Sequence, residues 1–116
     1  MKQRNILEVE KVLVSIFPTY AELLKQDKED QEWEYSMHSL FRDFIHYFSE
    51  NIKEMDSKQL KKMANFINEA VEIDDDLENA ISTCFLEHLY QVNAVKQIKP
   101  MLSKLAKGKL NALWDF

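Results

Sequence analysis

Glycine occurs once in this 116-residue chain, at Gly108, proline twice, at Pro18 and Pro100, and cysteine once, at Cys84. Two-residue hairpins need glycine or asparagine at positive φ, and phosphate-cradling loops need several glycines so that backbone amides can approach the anion. One glycine builds neither, so P-loop, dinucleotide-binding and nucleophile-elbow architectures are excluded together. A single cysteine closes no intramolecular disulfide, and Met1 to Leu7 begins with charge and lacks the apolar region of a signal peptide. A reducing cytoplasm is the expected setting. Apolar runs span only a few residues, well short of the roughly 20 that cross a bilayer, so no membrane span is expected.

What remains is a chain with ample apolar residues for one core and an uneven charge. The net charge is −5. Residues 1 to 92 hold 10 bases and 19 acids, a balance of −9, whereas residues 93 to 116 hold 5 lysines against Asp115, a balance of +4. An acidic body repels phosphate, so nucleic-acid binding is not expected. A basic protein is the partner such a body favours.

Helical spacing accounts for nearly the whole chain, and the expected fold is all-α, a single domain of about six helices. Ile6, Val9, Leu13, Ile16 and Phe17 follow Asn5, a suitable N-cap, and predict a helix over 5–16. Pro18 restarts the chain into a second helix with Tyr20, Leu23 and Leu24 inward, which fades into a loop within the charged run Asp27 to Glu34. A third helix over about 36–55 carries Met37, Leu40, Phe41, Phe44, Ile45, Tyr47, Phe48 and Ile52 on one face. Asp56 and Ser57 cap a fourth, with Leu60, Met63, Ala64, Ile67, Ala70 and Val71 as its stripe, and the short connection predicts that it packs antiparallel to the third. A fifth, over about 76–92, is apolar on two sides, and a sixth begins near Asn93, restarts at Pro100 and ends at Gly108. Leu110, Leu113 and Trp114 are expected as a last turn docked on the core. An antiparallel helix-pair bundle and a short HEAT-like stack fit this pattern equally.

The order of these elements, the aromatic-rich third helix and the segment Asp75 to Leu89, DDLENAISTCFLEHL, resemble a family of small all-helical bacterial proteins without an assigned activity. In size and helical make-up its members are similar to the immunity proteins that neutralise bacterial toxins by binding them. The resemblance implies a protein-binding role and supplies no catalytic residue.

Candidate chemistry is sparse. Cys84 and His88 are one turn apart on an apolar stripe, but structural zinc wants four ligands and no second pair exists, so His88 reads as a core histidine. Asp43, His46 and Glu50 share a polar arc, which reads as a solvated face because acid–base catalysis needs a pocket. No cofactor is expected. The segment Asp27 to Tyr35 places Trp33 and Tyr35 among Glu29, Asp30, Glu32 and Glu34, and aromatics within carboxylates are suited to gripping a basic partner, although the more common use of such rings is local packing over the edge of the core. Asp74, Asp75 and Asp76 form a second acidic candidate, although carboxylates there also cap the following helix, and no EF-hand pattern follows them. The lysines Lys96, Lys99, Lys104, Lys107 and Lys109 read as the solvated face of a terminal helix. The favoured expectation is a non-enzymatic interaction module; a metal-dependent or acid–base enzyme and a homo-oligomeric structural subunit are the alternatives.

Overall fold

The computed structural model describes residues 5–30, 35–73, 75–89 and 95–114, and every regular element among them is helical. Helix α1, Ile6–Ile16, starts where the Asn5 side chain accepts the Leu7 amide at 2.7 Å, as its N-cap position predicts. Helix α2, Tyr20–Asp30, starts after a turn at Pro18 and Thr19. It extends through the first part of the charged run expected as loop, because Lys28 reaches Glu10 of α1 at 2.9 Å and ties the last turn of α2 to its neighbour. Glu32, Trp33, Glu34 and Asp74 lie outside the described residues.

Helix α3, Met37–Asn51, is capped by Ser36, whose hydroxyl accepts the Ser39 amide at 3.1 Å. A 3-10 turn, Ile52–Glu54, and extended backbone at Met55 and Asp56 re-aim the chain into α4, Ser57–Ala70. A reciprocal capping box opens α4: Asp56 accepts the Gln59 amide at 2.8 Å, and the Gln59 side chain accepts the Asp56 amide at 3.1 Å. Gln59 also donates to the Ile16 carbonyl at 3.1 Å, which fixes α4 beside α1. The expected close α3–α4 pair is therefore not a principal contact: α3 packs on α2 and α5, and α4 on α1 and the C-terminal helices.

Helix α5 is α-helical over Asp76–Ala80, π-helical over Ile81–Leu86 and α-helical again over Glu87–Leu89. Polar side chains beside the widened turn engage the preceding one: Thr83 donates to the Asn79 carbonyl at 2.8 Å, and Ser82 to the Glu78 carboxylate at 3.1 Å. The wider turn lets Ile81, Phe85, Leu86 and Leu89 all reach the core, so α5 is covered on more than one side. Helix α6, Val95–Ile98, passes through a 3-10 turn at Lys99–Met101 that contains Pro100. Asn68 of α4 satisfies this break, accepting the Ser103 amide at 2.7 Å and donating to the Met101 carbonyl at 3.3 Å.

Helix α7, Lys104–Trp114, runs straight through Gly108, so glycine does not end it as expected, and residues 110 to 114 continue the helix instead of forming a separate turn. Leu110 is buried; the side chains of Leu113 and Trp114 lie outside the described residues. Gly108 is exposed, and a Cβ added there would meet nothing within 4 Å. Gly108→Ala is expected to stabilise the fold by about 0.5 to 1 kcal/mol through helix propensity alone. A rise in the denaturation midpoint checks this; an unchanged or lower midpoint contradicts it.

Seven helices among the described residues thus enclose one core. Non-sequential packing, α1 with α4 and α3 with α5, together with extents of 37 × 36 × 25 Å, makes it a closed array and not an elongated stack. Phe44 stands at its centre, fully buried, ringed by Phe17, Tyr20, Phe41, Tyr47, Phe48 and Phe85 at centroid distances of 5.1 to 6.3 Å.

Candidate interaction site

Tyr20 and Asp27 are seven residues apart on α2 and therefore share a face, while Asp43, His46 and Tyr47 lie along one side of α3. The two helices pack against each other and bring these groups together. The Tyr20 ring lies against Phe44 and Tyr47, with centroids 5.1 and 4.9 Å away. Thr19 and Tyr47 join their hydroxyls in a hydrogen bond that pins the start of α2 to α3. Tyr35, just ahead of the Ser36 cap, donates its hydroxyl to the Asp43 carboxylate at 2.6 Å.

These groups form a half-buried acidic and phenolic cluster. The Asp27 carboxyl is raised above the ordinary range, first by burial and then by the negative charges of Asp43 and Asp30, with His46 acting in the opposite direction. Burial likewise raises the Tyr20 phenol, followed by the charges of Asp27, Asp43 and Glu10. Tyr35 is raised by burial and by its bond to Asp43. The Tyr20 and Tyr35 hydroxyls are near enough to influence each other, and that influence eases the shift at Tyr20. Tyr35 nevertheless gives its one proton to Asp43, and the buried Tyr20 hydroxyl has no hydrogen-bond partner among the described residues.

An acid whose pKa is raised on folding binds more protons in the folded state. Stability therefore falls as pH rises from the unfolded aspartate value of about 3.9 through the higher folded value, and stays lower above it. Asp27→Asn removes this penalty. The variant is expected to melt above the parent at neutral pH and to match it near about pH 3, where Asp27 is protonated in both states. A lower melting temperature at neutral pH would contradict the placement of Asp27 among like charges.

The sequence-predicted candidates are distributed as follows. Tyr35 is half-buried and anchored to Asp43, whereas Glu29 and Asp30 are exposed on the last turn of α2. Asp75 is the N-cap of α5, accepting the Glu78 amide at 3.0 Å, and Asp76 is exposed in its first turn. His46 and Glu50 are exposed, so Asp43 is held by a tyrosine while the other two members of that arc face solvent. Cys84 and His88 are both half-buried, which corrects the reading of His88 as a core residue: the π-helical turn changes the angular spacing on which that reading stood. Among the described residues no three His, Cys, Asp or Glu side chains are placed to hold a metal ion. No described helix is long and apolar enough to cross a membrane.

A model of the family described as "Domain of unknown function (DUF7674)" matches residues 10–115. The chain belongs to this family. No curated protein and no solved structure matches it. Tyr20, Asp27, Tyr35 and Asp43 all fall within the span of the DUF7674 match, as do both ion pairs described below.

Two buried carboxylates escaped the sequence reading. Glu10 of α1 is 8% exposed and pairs with Lys28; Glu78 of α5 is 9% exposed and pairs with Lys109 of α7 at 2.6 Å. Periodicity held the signal for both. Glu10 stands three residues before Leu13 and seven before Phe17, and Glu78 stands three before Ile81 and seven before Phe85, each on the inward stripe of its helix. Beside Glu10, α1 and α2 frame an open groove of about 460 Å³ lined by Leu7, Lys11, Val14, Ser15 and Leu24. Its charges are of both signs, so it favours neither a basic nor an acidic occupant.

Proposed function

We propose that this DUF7674 chain is a non-enzymatic protein-interaction module, immunity-like in build, that binds a basic protein through the acidic surface that the end of α2 forms with the adjoining side of α3. The observation that carries this reading is the gathering of Asp27, Asp30 and Asp43 beside the buried Tyr20 and the half-buried Tyr35, where burial first and like-charge repulsion second raise Asp27. Folding alone gains nothing from such an arrangement, and unfavourable charge crowding marks surfaces that complete their electrostatics with a partner. The Asp74 to Asp76 segment has weaker support, because Asp75 is engaged in capping α5. Lys109 of α7 pairs with Glu78 in the same helix that Asp75 caps, so part of the negative charge at that end is already answered within the molecule.

The test is salt-dependent retention of protein partners from the native cell on the immobilised chain, compared with a Glu29→Lys, Asp30→Lys variant. Both substitutions lie on exposed positions and should leave the fold intact. A basic protein held by the parent, released by moderate salt and lost in the variant supports the reading. Retention unaffected by charge reversal, or no retained protein at low salt, overturns it.

A further inference from the structure

We propose that the outer face of α7 docks on a second copy of this chain, meeting the acidic outer face of that copy's α2 in a head-to-tail contact. The inference rests on the acidic-surface reading above and names a partner for the α2 side of that surface. Two features of α7 carry it, because each costs the helix stability and neither is offset inside the molecule. The first is Gly108, the single glycine of the chain, in the middle of Lys104–Trp114. Glycine is among the poorest residues for a helix interior, and a Cβ here would meet nothing within 4 Å, so the fold itself has no steric need of it. A missing side chain at this exposed point serves the close approach of something from outside. The second is charge. Lys104 opens the first turn of α7 and Lys107 follows, with no acidic residue beside them, although cations at a helix N-terminus oppose its dipole. Neither they nor Lys96 of α6 forms an ion pair among the described residues, whereas Lys109 is engaged by Glu78.

Lys104 and Leu105 precede Gly108 by four and three residues, so the three share the solvent side of α7, where Leu105 is 48% exposed. An apolar side chain beside a notch, with lysines around it, suits a helix that offers an apolar side chain among acids. Helix α2 is such a helix. Leu23, Gln26 and Asp30 follow one another at spacings of three and four on one face, with Glu22 beside them; Leu23 is half-buried and the others are exposed. The lysines of α2 lie elsewhere, Lys28 engaged by Glu10 and Lys25 bordering the groove between α1 and α2. Like faces do not match: α7 against α7 opposes lysines, and α2 against α2 opposes carboxylates, so a twofold contact through either face is disfavoured where a head-to-tail one is favoured. Each copy then uses α2 in one contact and α7 in the next. Charges farther apart than about 10 Å are screened at ordinary ionic strength, so the net −5 of each copy does not keep faces of opposite sign apart.

The experiment is sedimentation equilibrium of the full chain over a rising series of concentrations, at low and at high salt. The parent is expected to gain mass with concentration at low salt and to lose that gain at high salt. The double variants Lys104→Glu, Lys107→Glu and Glu22→Lys, Asp30→Lys should each weaken self-association by about tenfold or more, and an equimolar mixture of the two should restore it, because each then meets the opposite charge. Gly108→Gln fills the notch without altering charge. It should melt no lower than the parent yet self-associate about tenfold more weakly, a split that a role in folding alone does not produce. A parent that stays monomeric at every concentration, association that survives Gly108→Gln or either charge reversal, or a mixture that fails to associate overturns the head-to-tail contact. So does a monomeric parent that holds a different acidic protein through Lys104 and Lys107. The acidic-surface reading is decided apart from these outcomes, by retention of a basic protein through Glu29 and Asp30.

Discussion

Replacing Phe44 with alanine is expected to remove about 3 to 5 kcal/mol of stability, the range for deleting a fully buried phenylalanine. Such a loss is a large share of the roughly 5 to 15 kcal/mol that separates folded from unfolded domains. The position warrants the upper part of the range because six aromatic rings surround it and none is free to collapse into the space. Phe17 approaches from the C-cap of α1 and Tyr20 from the start of α2, Phe41, Tyr47 and Phe48 share its own helix, and Phe85 stacks on it from the π-helical turn at an interplanar angle of 23°. The loss is read from the urea midpoint at unchanged slope. Val12→Ala, at a site 36% exposed, is the control and should shift stability by no more than about 0.5 kcal/mol. Near-parental stability of Phe44→Ala would mean that the ring cluster is not the centre of the core. Because Tyr20 and Tyr47 both rest on Phe44, its removal also loosens the floor of the acidic cluster.

The helical architecture was readable because each helix carries its own instructions. Asn5, Ser36, Asp56 and Asp75 all act as N-caps in the way their residue types imply, and the apolar stripe of α3 from Met37 to Phe48 is the face that is buried. Errors fell where tertiary contacts override local preference. Gly108 favours a helix end by propensity, but Ala106 and Leu110 on either side of it are buried, and their packing continues α7 through the glycine. The direction of α4 followed from Gln59 reaching the Ile16 carbonyl, a bond across 43 residues that no periodicity encodes. The π-helical turn was hidden for the same reason, since a pattern read at constant angular spacing has no place for an added residue.

The candidate site was legible only in part. Its acidic character and Tyr35 were visible as composition within a short segment. The pairing of Asp27 with Asp43 was not, because it depends on α2 and α3 packing with Tyr20 between them, and one sequence gives no direct record of that meeting. Asp43 had been grouped with His46 and Glu50 by helical spacing, yet the partner that holds it is Tyr35, eight residues earlier and on the far side of the Ser36 cap. Spacing along one helix identifies neighbours on its surface; it does not identify what another segment lays over them.

Lys109→Met is expected to destabilise the fold by about 1 to 3 kcal/mol, the second largest single effect, because it leaves a buried carboxylate without its cation. Glu78 is 9% exposed and accepts from Lys109 at 2.6 Å and from Ser82 at 3.1 Å. Methionine keeps the apolar stem of the lysine, so the loss reports charge and not packing. The estimate lies below the range for a fully buried pair since the Lys109 side chain is 32% exposed and water screens part of the interaction. Glu78→Gln should be milder: the amide still accepts from Ser82, and the freed lysine can swing its ammonium into solvent. The double variant Glu78→Gln, Lys109→Met is accordingly expected to be more stable than Lys109→Met alone, a sign that only direct coupling produces. If the double variant instead shows the sum of the two single losses, Lys109 and Glu78 act independently, and the contact between α5 and α7 is held by Leu110 and Ala106 against the π-helical segment rather than by charge.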